Sequence, residues 1–274
     1  MILKRNDGTS LIEILISLVI SSILIAGLYL TFTNNLKTYT VQEQVVDMQQ
    51  NTRISAARMV REIRMAGFGN VSMVLPVTFN GKTFNNLLNP DNGSLTFVLA
   101  NVSVGTLTTQ AAMDQNTIIF TPDPNGDPEL NIGDRGCISI GGVESRKITS
   151  VVGNGTKTVT LNGTLLHNHP AGTPIFGIRA ITYQTVLSDG KLALSRDENL
   201  GLGGQLQADN IEGLQFDYLD AGGNPTGNPA NVRIVRLTLT ARTERQDPDY
   251  KAGDGYRKRL LASNIHLLNL GLNE

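Results

Sequence analysis

The chain has 274 residues, a formal net charge of −1, 17% charged residues and a single cysteine. That length suits one large domain or two small ones, and the near-neutral balance gives no global argument for nucleic-acid binding. One cysteine excludes an internal disulfide and any zinc site built on two or more cysteines. Cys137, in GCISIG, reads as a small buried strand residue.

The chain begins MILKRND, with Lys4 and Arg5, and Gly8 follows. From Ile14 to Leu36 there are 23 residues without a charge, and Lys37 ends the run. As a helix this run is roughly 34 Å long, enough to cross a bilayer. The basic residues ahead of it place the short N-terminus in the cytoplasm and everything after Lys37 beyond the inner membrane. A secretory signal has a shorter apolar run followed by a small-residue cleavage site. Here the glycine precedes the run and the run is too long. A plain anchor explains length and charge but not Glu13 at its mouth. A carboxylate within hydrocarbon costs about 2.5–3.5 kcal/mol at a helix centre, and less near an end, so Glu13 needs a partner or must be neutralised.

No proline occurs before Pro76, so the helix is expected to continue from Thr9 to about Ala66, roughly 87 Å. At 100° per residue, Val41, Val45, Met48, Thr52, Ala56, Met59, Ile63 and Ala66 share one face, an apolar stripe for a globular body. Arg53, Arg58, Arg61 and Arg64 fall away from the stripe and read as a solvated face or a contact surface for acidic neighbours. No aromatic interleaving suggests nucleic acid. AGFG, with Gly67 and Gly69, supplies the stop.

After Gly67 the pattern turns to short apolar or alternating runs between Asn-Gly, Asp-Gly and Gly-Gly turns. Strands are expected at 94–100, 116–121, 136–141, 146–152, 157–162, 175–186, 191–196, 214–220 and 233–243. No βαβ alternation is present, so the body reads as one or two antiparallel sheets. The expected fold is α+β: a long N-terminal helix, membrane half then amphipathic half, packed on antiparallel sheet.

The stretch Gly8-Thr9-Ser10-Leu11-Ile12-Glu13 resembles the type IV prepilin motif, in which a short basic leader ends in Gly and the mature chain starts with an aromatic residue followed by Thr-Leu-Ile-Glu. Thr9 stands where that motif has Phe, and Ser10 where it has Thr. MQQNTRISAARMVREIRMAGFGN, NIEGLQFDYLD and the closing RLLASNIHLLNL are similar to PilW and GspJ-type minor pilins. The resemblance implies cleavage after Gly8 by prepilin peptidase and N-methylation of Thr9. It implies that Glu13 meets the terminal amine of an adjacent subunit and so sets axial register. It divides the chain into a leader (1–8), a transmembrane and fibre-core helix half (9–36), an amphipathic half (37–67) and a β-rich pilin domain (68–274). It implies a non-catalytic minor pilin with a periplasmic body that primes type IV pilus assembly. Its partners would be other minor pilins, the major pilin and the inner-membrane platform. A type II secretion pseudopilin of the J kind, a membrane-anchored periplasmic binding protein and a fibre-tip adhesin are the alternatives.

Hidden chemistry is sparse. DPNGDPELNIGD sets Asp123, Asn125, Asp127, Glu129 and Asp134 at offsets 1, 3, 5, 7 and 12 of a calcium loop. Pro128 replaces the glycine and Asp134 the glutamate of an EF-hand, so the readings are a polar turn or a calcium loop of another kind. DPDYKAGDGY (247–256) is a weaker acidic stretch. His167 and His169 form an H-x-H pair with no third ligand in sight, read as a loop. GLGG at 201–204 lacks the frame of a phosphate cradle. No catalytic constellation is evident, and no cofactor beyond calcium is suggested.

Overall fold

A computed structural model describes residues 10–91, 93–124 and 136–270. One helix, α1 (Leu11–Arg64), runs 54 residues without interruption, about 81 Å. It stops where expected. The Gly67 amide turns back to Val98 O (2.8 Å) at φ +79°, and Gly69 sits at φ +92° with no room for a side chain. A Cβ there would lie 2.5 Å from the Ala100 Cβ, so AGFG serves both conformation and close approach.

A short 3-10 turn (Val71–Val74) leads to β1 (Val77–Phe79), β2 (Lys82–Phe84), β3 (Leu88–Asp91) and the long β4 (Ser94–Leu107). Then come β5 (Thr117–Pro122), β6 (Cys137–Ile140), β7 (Glu144–Val152), β8 (Lys157–Leu161), the long β9 (Pro174–Ser188), β10 (Lys191–Asp197) and β11 (Gln205–Ala208). The last three strands are β12 (Ile211–Leu219), β13 (Ile234–Arg242) and β14 (Lys258–His266). The nine strands expected from sequence are all present. The small β1–β3, β11 and β14 were not picked out, and the described residues form three sheets instead of one or two.

The architecture rests on β4 and β9, which pair antiparallel from Ser94↔Gln184 to Thr106↔Pro174. At one end of this ribbon β3 adds to β4, and β10 and β11 add beyond β9, making an open sheet. At the other end the order β4-β5-β8-β7-β6-β9 returns to β4, so six strands close a ring. Register shifts at Ala100/Val102 and Ser103/Gly105 mark where the ribbon bends from sheet into ring. Gly105 is needed at that bend, since a Cβ would lie 2.2 Å from Thr121 O. The ring is filled by its own core, including Val104, Ile118, Phe120, Ile138, Val159 and Ile175. Closure removes sheet edges there.

Alternation along β4 assigns its two faces. Leu95, Phe97 and Leu99 point to α1, and Val98 and Ala100 point to the opposite side against Val71, Val74 and Phe79. The three-stranded sheet β12-β13-β14 covers α1 from the other flank through Val235, Leu237, Leu239 and Ile265. The helix is thus held between two sheets, and the ring has a core of its own.

Cys137 is buried, as expected, and burial pushes its thiol up to about 11.

Candidate functional site: the two halves of the helix

The first half of α1 packs on nothing else among the described residues. Every residue from 11 to 32 is exposed, including Ile16, Ile20, Leu24, Leu28 and Phe32. The helix is long and apolar enough to cross a membrane, and none of its most apolar window is buried. Four of its hydroxyls are quenched internally. Ser17 donates to Glu13 O (2.8 Å), Ser22 to Val19 O (2.8 Å), Thr31 to Gly27 O (2.9 Å) and Thr33 to Leu30 O (3.0 Å). A donor that bonds back along its own helix adds no unpaired polar group to a lipid environment.

Glu13 lies in the first turn, where a negative charge favours the helix dipole. Its carboxylate has no hydrogen bond or ion pair among the described residues. Lys4, Arg5, Gly8 and Thr9 lie outside the described residues.

The second half is seated. Met48, Thr52, Ser55, Ala56, Met59 and Ile63 are buried, with Met59 and Ile63 at 0% exposure. The stripe read from sequence is the buried face, its lower end at Val41 and Val45 only partly covered. Sequence reasoning missed the charge beside it. Glu62 Oε2 accepts from the Tyr183 hydroxyl (2.7 Å) and from Arg196 Nε (2.9 Å), and Glu62 Oε1 accepts from Arg58 Nε (3.2 Å). Arg196 Nη1 also reaches Glu198 Oε1 at 2.6 Å. Burial raises the Glu62 pKa. The bonds from Arg196, Tyr183 and Arg58 outweigh that and hold the carboxyl below its ordinary value of 4.5. Burial and the Glu62 charge push the Tyr183 hydroxyl up.

Arg58 requires a correction. It does not join a solvated arginine face. Its Nη1 donates to Gln207 Oε1 (2.8 Å) on β11, and Ser55 Oγ donates to Gln207 O (3.1 Å). The Arg58–Glu62 spacing of four residues was the available signal, because such pairs face each other on a helix. Arg53, Arg61 and Arg64 are exposed, as expected.

The two histidines lie close together, but around a carboxylate. Glu144, with 0% exposure, accepts from the Leu166 amide (2.9 Å) and the His167 amide (3.2 Å). Its Oε1 lies 2.7 Å from His169 Nε2, and Arg146 Nη2 lies 3.0 Å from Oε2. Burial raises the Glu144 pKa, but the Leu166, His169 and His167 bonds and the Arg146 charge bring it below its ordinary value. Glu144 therefore ties the 165–169 segment to β7 at the mouth of the ring. His169 is buried, at 4% exposure, and bridges to Ala111, so the expectation of a loop holds for His167 alone.

Of the calcium-loop residues, Asn125, Asp127, Glu129 and Asp134 lie outside the described residues. The Asp123 amide donates to Val104 O (2.9 Å). In the weaker acidic stretch, Asp247 is paired with Arg257 Nη2 (2.7 Å), and Asp254 with Lys258 Nζ (3.0 Å). Cations already occupy those carboxylates. Among the described residues no group of three or more His, Cys, Asp or Glu side chains is placed to hold a metal.

A search of curated proteins finds no match. Among solved structures, a type IV-like pilin, TTHA1219 from Thermus thermophilus, aligns with a TM-score of 0.36 at 10% identity over 81% of this chain and 98% of its own. The sequence signal is confined to the start of the chain: residues 3–29 match the family model described as the prokaryotic N-terminal methylation motif.

Proposed function

We propose that this chain is a minor pilin, similar to the PilW and GspJ-type subunits, that primes assembly of a type IV pilus. Prepilin peptidase removes residues 1–8, and Thr9 becomes the N-methylated terminus. The apolar half of α1 holds the subunit in the inner membrane with the body in the periplasm, and later enters the fibre core. Glu13 pairs with the terminal amine of a neighbouring subunit. Other minor pilins, the major pilin and the inner-membrane platform are the partners. The role is structural.

One observation carries this reading. The methylation motif at 3–29 runs straight into a helix half with no packing partner among the described residues, followed by a half firmly seated on the body. A helix that needed only to anchor the body would have no use for a carboxylate at its head. Glu13, without a partner among the described residues, is a group awaiting one from outside.

The test is the intact mass of native protein. The expected mature chain begins at Thr9 and carries one extra methyl group, and a Gly8→Ala precursor stays at full length. Normal maturation of Gly8→Ala would overturn the cleavage assignment. Glu13→Ala is expected to mature normally and to abolish priming of surface fibres. Deletion that stops exoprotein release and leaves surface fibres intact would move the chain to a type II secretion machine.

A further inference from the structure

A groove of about 560 Å³ runs between the seated half of α1 and β14. Its floor is apolar and small, with Ala57 and Val60 on the helix. Its opposite wall is Leu261, Ala262 and Ser263. Three consecutive strand residues lining one groove means that it meets the strand edge-on, because successive side chains point to opposite faces. Among the described residues β14 pairs only with β13, so this edge carries backbone N–H and C=O groups that no described strand satisfies. The Leu268 amide bonds Arg64 O just past the end of β14, which fixes the strand alongside the helix.

The rim is cationic. Arg53, Arg61 and Arg64 line the groove, are exposed, and have no ion-pair partner among the described residues. Arg259 adds a fourth exposed cation two residues before Leu261, on the same face of β14. By contrast Arg58, one turn away, is fully engaged with Glu62 and Gln207. Arg53, Arg61 and Arg64 thus leave their charges free along the open edge.

We infer that this groove is a docking site for an extended acidic segment of a partner protein, which adds as a strand to the free edge of β14. The added strand supplies backbone bonds to β14. Its small apolar side chains meet Val60 and Leu261, and its carboxylates meet the arginine rim. The site lies on the body and stands independently of the function proposed above.

The probe is a fluorescent eight-residue peptide of alternating Glu and Val, titrated at low salt against the full chain in detergent micelles. Binding is expected, with slowed amide exchange across 258–266 and loss of binding at high salt. Joint Arg61→Glu and Arg64→Glu substitution should weaken it by about tenfold or more. Because both side chains are exposed, melting should be unchanged. Arg259→Glu serves as a second variant on the other wall. The same peptide N-methylated at alternate backbone nitrogens should not bind, whereas attachment by charge alone would survive. No binding, binding that persists in the N-methylated peptide, or equal binding by a Lys–Val peptide would overturn the inference. So would tighter binding by a helical acidic peptide. Protection of 258–266 that rises with protein concentration alone would assign the groove to a second copy of this chain, and would also overturn it.

Discussion

The two halves of α1 share one continuous backbone and almost nothing else. The first half presents apolar side chains on every face, and its lone acid, Glu13, has no partner among the described residues. The second half presents one apolar stripe, and Glu62, at its border, has three donors converging on its carboxylate. A stripe selects one body-facing orientation, whereas an all-round apolar surface accepts neighbours from any side. The contrast separates fixing a helix within its own chain from leaving it open to others.

The sharpest way to break that contrast is to remove matched isoleucines. Ile63→Ala, at a fully buried site, is expected to cost the body about 2–5 kcal/mol in unfolding followed by near-UV circular dichroism. Ile20→Ala, on the exposed half, should change the same transition by about 0.5 kcal/mol or less. Equal losses would mean that the first half also packs on the body. The paired carboxylates come next. Glu62→Gln is expected to cost about 1.5–3 kcal/mol, because Arg196 loses a charged acceptor in a largely buried place. Glu13→Gln should leave unfolding of the body unchanged.

Acid sharpens the comparison further. The folded-state pKa of Glu62 lies below its ordinary value of 4.5, so the seat gains stability that is complete above that value. The gain is lost as pH falls through the depressed folded value. Glu144 acts in the same direction at the ring. Denaturant unfolding at a series of acidic pH values should show this loss, with a shallower slope in Glu62→Gln. The smallest effect is reserved for Arg61→Gln, within about 0.5 kcal/mol of wild type, since its exposed guanidinium supports nothing in the body.

Features governed by local period were legible in the sequence. The stripe from Met48 to Ile63 follows from 100° per residue, and β4 and β9 follow from apolar alternation. Glu62 and Glu144 were not legible, because a buried carboxylate looks like any other until its distant partners are known. Arg196 lies 134 residues from Glu62, and His169 lies 25 residues from Glu144. Arg58 was misread for the same reason, its Gln207 partner being 149 residues away. β14 was quoted only as part of a resemblance. Its exposed Leu260 and Ala262 interrupt the polar half of the alternation, so no clean strand pattern appears. The closed ring was beyond reach because closure is a property of which strands pair, and pairing partners are set by long-range packing.

The seat on α1 has an implication for how the chain is made. Part of its cover comes from β13 and β14, near the far end of the sequence, and the Leu268 amide closes onto Arg64 only after some two hundred residues have followed. A chain emerging N-terminus first holds a bare strip of Met48, Ala56, Met59 and Ile63 until β13 and β14 have followed. Such exposed apolar surface invites aggregation or capture by chaperones until synthesis is complete. Nascent chains stalled before β13 should therefore be degraded far faster than chains stalled after Leu268, a difference that pulse-chase labelling would read.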